Sequence, residues 1–248
     1  MISWNSCRGK AAANALAAVL VVFLTGPAAK GQSLTVLPVN VWLQAGQRAT
    51  TLTVTNGGTS ETAIQIRAYG WNQQDGDDQL TTSDAVVVSP PIASIAPGAT
   101  QVVRLILRQP PQGREATYRI LVDQIPPPAE PGIVRVVLRL SIPIFALPTA
   151  RAIPHLQFHI ERDAGSAYLV AINDGGRHEA IRNVVPWTSD GRQLSTKSDA
   201  SPYILAGATR RWPIAAQGAP PLPNETLRMT AHEDAGAVEQ KVLVVATH

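Results

Sequence analysis

A chain of 248 residues with 20 prolines and 18 glycines has room for one large or two ordinary domains, but its composition excludes long helices. Its formal net charge of +3 comes from Arg8, Lys10 and Lys30; from residue 32 onward it carries 18 basic and 18 acidic residues, which is not the positive footprint of a nucleic-acid binder. The single cysteine, Cys7, also lies in the leading stretch, so the remainder has no disulfide and must rely on packing and backbone pairing.

Arg8 and Lys10 precede an apolar run at 11–24, and small residues follow around Gly26 to Gly31. This is the layout of a secretory signal peptide. The run is shorter than the roughly 20 residues of a membrane span. The sequence predicts cleavage between Gly31 and Gln32, with Ala29 as the alternative site, and no stable membrane insertion after residues 1–31 are removed.

Residues 33–43 are expected to be extended, with Pro38 marking a break or a change of sheet. A turn at 44–48 leads into 50–55, where Leu52 and Val54 point inward and threonines outward. Asn56-Gly57-Gly58 is a turn. In 63–71, Ile64, Ile66 and Ala68 share one face. The polar segment 72–78 reads as a solvated loop; its acidic residues lack the spacing and the distant glutamate of a calcium loop. Pro90-Pro91 forbids regular pairing within 86–98, and Pro97-Gly98 is a turn. Strands follow at 101–108 and 117–125, and then the proline-rich connection 126–132.

That connection leads into the stretch 133–148, far longer than an ordinary strand. From Ile133 to Phe145 a strand would span about 43 Å, well beyond the usual 5–6 residues. Val134, Val136, Leu138, Leu140 and Ile142 share one face; Ile133, Arg135, Val137, Arg139 and Ser141 share the other. Such a strand is an aggregation hazard unless another strand covers it or it exists to pair with a partner. About seven strands in roughly 115 residues, with turns at this rhythm, fit an immunoglobulin-like sandwich.

After Pro148, strands are expected at 155–160, 167–172, 179–185, 203–205, 209–212, 226–231 and 241–245, with a turn at Asn173-Asp174-Gly175-Gly176. His155 and His159 share a strand face but lack a third metal ligand nearby. His178, just after the glycine turn, is expected to bond backbone in a loop rather than act as an acid or base. Asp84, Glu115, Asp123 and Glu161 are scattered, and there is no nucleophile elbow, zinc-protease helix or phosphate loop. The reading is therefore not of an enzyme, and no cofactor is expected.

Several short motifs occur in a telling order: Ser89-Pro90-Pro91-Ile92, Ile95-Ala96-Pro97-Gly98, Val103-Arg104-Leu105, Tyr118-Arg119, Ile125-Pro126-Pro127, and Arg139-Leu140-Ser141-Ile142-Pro143-Ile144-Phe145 with Pro148. In this the chain resembles the periplasmic chaperones of the chaperone–usher pilus systems, most of all their archaic branch. Val170 to His178, Gly191 and Arg211-Trp212-Pro213 extend the resemblance into the second half. The resemblance implies an all-β fold of two immunoglobulin-like sandwiches, set at an angle with a cleft between them. The domains would be 32–148, carrying a long donor strand, and 149–248.

The resemblance also implies a function in the periplasm. The chaperone lends its long strand to an incomplete pilus subunit, so that backbone bonds give affinity and alternate side chains fill the groove. Delivery is to an outer-membrane usher, with no nucleotide. Val134, Val136, Leu138 and, more weakly, Leu140 are the expected inserting side chains. Better-known members hold the subunit's terminal carboxylate with a basic pair, whose positions fall on Val41 and Pro143 here. The anchor is thus absent or moved, and Arg119, Arg104 and Arg139 are the candidates in that order. The competing readings are a secreted adhesive sandwich or pilus subunit, and a secreted hydrolase.

Overall fold

The computed structural model describes residues 34–246, apart from 75, 129–130, 133–135, 164, 197–200 and 216–220. The expected signal peptide at 1–31 and its cleavage site lie outside the described residues, as does Val134.

Among the described residues the first half contains ten strands: β1 (Leu34–Leu37), β2 (Val41–Leu43), β3 (Ala49–Asn56), β4 (Thr62–Gln74), β5 (Asp77–Thr82), β6 (Val86–Ser89), β7 (Ile92–Ile95), β8 (Thr100–Leu107), β9 (Ala116–Ile125) and β10 (Arg139–Ala146). One sheet has the order β1-β3-β8-β6; the facing sheet has the order β2-β10-β9-β4-β5, with β7 also on β4. Strict alternation builds the core between them. Leu52 and Val54 of β3, Ile64 and Ile66 of β4, Val103 and Leu105 of β8, and Ile142 and Ile144 of β10 are buried in one cluster.

Prolines decide where the chain changes sheet. β1 pairs with β3 in one sheet, and after Pro38 β2 runs parallel to β10 in the other. β6 pairs with β8, and after Pro90-Pro91 β7 pairs with β4. A proline has no N–H to give to a ladder, and at these two places the strand leaves one sheet and crosses to the other.

The second half contains β11 (Leu156–Asp163), β12 (Ser166–Asn173), β13 (Glu179–Ala180), β14 (Arg182–Trp187), β15 (Tyr203–Ile204), β16 (Thr209–Ile214), β17 (Thr226–Glu233) and β18 (Gly236–Ala246). A six-stranded sheet, β14-β17-β18-β11-β12-β16, and the small pair β13-β15 enclose a second core around Ile160, Leu169, Trp212, Leu227, Met229 and Val244. No helix occurs among the described residues. The expectation of an all-β chain with two β-sandwich domains holds.

Two expectations need correction. The polar segment 72–78 is not a solvated loop: β4 runs on to Gln74 and turns through Gly76 (φ +91°) into β5, with Gln73 opposite Asp78. Its polar residues bond to the second domain, Gln73 Nε2 to the Tyr203 carbonyl at 2.8 Å and the Leu205 N–H to Gln73 Oε1 at 2.9 Å. The long strand is also shorter than expected. β10 begins at Arg139, and residues 136–138 are not strand. Its neighbour β9 ends at Ile125, and Pro126-Pro127-Pro128 offer no N–H donors to carry the ladder further.

Candidate functional site

Strand β10 has two unlike ends. Toward its C-terminus Pro143, Ile144, Phe145 and Ala146 are all buried. Ile144 points into the core, so Phe145 points out of the sheet, where side chains of both domains bury it completely. Its ring lies 3.7 Å from that of His178 in a stacked arrangement, 4.9 Å from Trp42 and 5.1 Å from Tyr203. Trp71, Leu205 and Ala208 complete this apolar joint.

Toward its N-terminus the same strand runs out of cover. Ile142 is buried, Leu140 is partly buried against the first core, and Leu138 is half-buried. Val136 is 79% exposed and Val137 47% exposed. The apolar face that fills the core at Ile142 and Leu140 thus continues past Arg139 to a half-buried Leu138 and an exposed Val136.

The outer face of the β10-β9-β4 sheet joins these two ends. Alternation places Arg67 and Tyr69 of β4, Arg119, Leu121 and Asp123 of β9, and Arg139 and Ser141 of β10 on that face. Arg119 stands between Tyr69 and Pro143 in the ladder. Its side chain is 12% exposed, with the guanidinium 3.7 Å over the Trp71 ring and 3.6 Å from Asp78 Oδ2. Burial lowers its pKa below the usual arginine value, and Asp78 and Tyr203 partly offset this. It remains a cation at neutral pH. Asp78 also meets Arg210 at 3.2 Å, so the β4–β5 hairpin ties Arg119 to the second domain.

Arg139 is exposed and pairs with Asp123, which also binds Arg67 at 2.5 Å. Arg67 is a member of this face that sequence reading missed. Arg104 stands elsewhere: on β8, between Thr51 and Ser89 in the opposite sheet, with its side chain in solvent. The structure therefore brings Arg119 and Arg139 to one face and leaves Arg104 off it. Of the two positions where a basic pair would fall, Val41 is buried in the core and Pro143 lies directly opposite Arg119.

Asp123 makes this face acid-sensitive. Burial alone would raise its pKa, but hydrogen bonds from Arg139 and Arg67 outweigh that and hold it below the ordinary carboxylate value. A depressed pKa in the folded state contributes stability above the unfolded value of about 4 and loses it as pH falls through the folded value. Asp123→Asn should be less stable than the parent at neutral pH, and the difference should shrink below about pH 4 in denaturant titrations. A difference independent of pH would assign Asp123 no such role.

The His178 ring bonds a carboxylate rather than backbone. The ring is buried, and Nδ1 lies 2.6 Å from Glu115 Oε2, which also accepts the His178 backbone N–H at 2.9 Å. The two residues are 63 apart in sequence and close the joint between the domains. His155 pairs with Asp174, and His159 lies 3.4 Å from Glu161. No cluster of three metal-ligating side chains occurs among the described residues.

Residues 33–152 match the pili and flagellar-assembly chaperone family, PapD N-terminal domain. The chain is 27% identical over 158 residues to the chaperone protein FimB/FhaD of Bordetella pertussis, covering 60% of this chain and 62% of that protein. It is 26% identical over 109 residues to the chaperone protein PapD of Escherichia coli, covering 42% of this chain and 44% of PapD. The matched segments thus span less than two thirds of either relative. The fold resembles that of a chain in the CsuC–CsuE chaperone–tip adhesion subunit pre-assembly complex from the archaic chaperone–usher Csu pili of Acinetobacter baumannii. There the TM-score is 0.65 and the identity 22%, over 87% of this chain and 100% of that one. Residues 33–152, just under half of the chain, thus match the N-terminal domain of the pili and flagellar-assembly chaperones.

Proposed function

We propose that this chain is a periplasmic chaperone that stabilises incomplete immunoglobulin-like pilus subunits by donor-strand complementation and passes them to an outer-membrane usher. The observation that carries this reading is the apolar face of β10, buried at Ile142 and continued to a largely exposed Val136. A subunit lacking one strand offers an open apolar groove with unpaired backbone on both sides. A donated segment supplies that backbone, with Val134, Val136 and Leu138 filling the groove and Leu140 at its margin. Each fully buried side chain would contribute about 1.5–3 kcal/mol, so no covalent step is needed. Residues 1–31 serve export, 32–148 form the donor domain and 149–248 the second. The reading needs no cofactor and no catalysis.

Co-expression with an incomplete subunit tests it. An equimolar complex, with the subunit degraded when expressed alone, is the expected result. A subunit equally stable without this chain overturns the reading.

Arg119 is the preferred anchor for the subunit's terminal carboxylate, ahead of Arg104 and Arg139. It is the best-buried of the three, it faces the position of Pro143, and a guanidinium binds a carboxylate through two parallel bonds. Arg119→Ala should weaken capture by about 2–5 kcal/mol. Removing the subunit's last residue should then cost little more, because both changes delete the same contact. Fully additive losses would place the carboxylate elsewhere.

A further inference from the structure

The ladder between β9 and β10 does not simply fade out. Leu140 stands opposite Val122 and Arg139 opposite Asp123, so Leu138 is next, opposite Gln124. The Gln124 backbone N–H donates to the Leu138 carbonyl at 3.0 Å, as an antiparallel rung requires. In a regular rung the Leu138 N–H would return to the Gln124 backbone carbonyl. Instead it donates to Gln124 Oε1, a side-chain oxygen, at 3.3 Å. One residue thus holds both polar groups of Leu138, one through its backbone and the other through its side chain.

Gln124 is poorly placed for any ordinary surface role. It follows Ile120 and Val122 on the core-facing side of β9 and is only 6% exposed. A buried amide at the open end of a sandwich needs a partner, and the Leu138 backbone is one. Beyond it Pro126-Pro127-Pro128 leave the edge bare, and Val136 is already in solvent.

We infer that Gln124 is a positioning residue whose side-chain amide fixes the register at which the donated segment leaves the sheet. This rests on the donor-strand reading above. The physical need is clear. A slip of one residue would turn Val137 and Arg139 toward the subunit's groove in place of Val136 and Leu138. The core at Ile142 and Leu140 constrains the strand from one side only. The Gln124–Leu138 clamp constrains it at the point of departure.

The test uses amide hydrogen exchange in the free, full-length exported protein, with capture of a co-expressed incomplete immunoglobulin-like subunit as the second readout. Gln124→Met keeps the volume and removes the acceptor; Gln124→Glu keeps an acceptor oxygen at the same reach. Gln124→Asn, one methylene shorter, serves should the methionine variant not fold. In the methionine or asparagine variant the Leu138 amide should exchange about five- to tenfold faster, with Leu140 and Val122 unchanged, and capture should fall by a similar factor. Gln124→Glu should restore both at acid pH where the carboxyl is neutral, since its carbonyl oxygen still accepts and no charge is buried.

Unchanged Leu138 exchange overturns the clamp. Faster exchange with undiminished capture overturns its role in register. If the parent itself captures no subunit, the donor-strand reading fails, whereas Leu138 exchange in the free protein still decides whether the clamp exists.

Discussion

Val136→Asp is expected to abolish subunit capture and leave the free protein folded. Val136 is 79% exposed, so in the free protein the new carboxylate meets water and costs nothing. In the complex it would replace a side chain worth about 1.5–3 kcal/mol of transfer free energy with a charge in an apolar groove. The sum is several kcal/mol, or more than about a hundredfold in affinity. Two residues of the same face provide the scale. Ile142→Asp, 6% exposed in the core, should unfold the protein, because its charge has no water to face. Leu138→Asp, half-buried, should lie between, losing capture with a modest loss of stability. Circular dichroism and pull-down on the same preparations separate the two effects. A Val136→Asp protein that unfolds would place this side chain in the core; one that still captures subunit would remove it from the interface.

The gradient along this face also explains what was legible in the sequence. Alternation at Leu52 and Val54, and at Ile64 and Ile66, follows directly from a two-sided strand, and the core contains those residues. Pro38 and Pro90-Pro91 announce a change of pairing partner because the missing N–H is a local property. The end of β10 was less legible. It depends on where the neighbouring strand stops, and Pro126 belongs to a different part of the chain. The β4–β5 hairpin was read as a loop because its residues are polar. They are polar because they bond to the second domain, as Gln73 does with Tyr203 and Leu205 and Asp78 with Arg210. Polarity at a domain joint and polarity in solvent look alike in one dimension. Arg119 and Arg139 could be placed on strands, but their sheet face depended on register, and Arg104 required knowledge of which sheet β8 joins.

The buried pair of Glu115 and His178 had no local signal, and its removal should have the largest effect on stability of any polar change at the joint. The two side chains are 0% and 1% exposed. Glu115 Oε2 accepts from both the His178 backbone and its ring, while the His178 ring also stacks on Phe145. Glu115 Oε1 has no hydrogen-bond partner among the described residues, so this carboxylate depends on His178. His178→Ala deletes the ring stack and the stronger of the two hydrogen bonds and leaves a buried carboxylate poorly served. Breaking a buried pair in this way costs about 3–5 kcal/mol. Glu115→Gln keeps an acceptor and the packing, and should cost about 1–2 kcal/mol. Denaturant unfolding gives both values, and a His178→Ala protein within about 0.5 kcal/mol of the parent would remove the pair from any structural role. The consequence for function follows from β10 itself. Phe145 at the joint and Val136 at the free end belong to one stretch of chain, nine residues or about 30 Å apart if extended. His178→Ala leaves the donor segment untouched in composition and exposure. Capture measured where the variant is still folded, alongside small-angle scattering of the free protein, therefore isolates the placement of the second domain. Weakened capture with altered scattering would mean that the joint holds the second domain where the subunit needs it. Full capture with altered scattering would mean that the first domain binds the subunit alone.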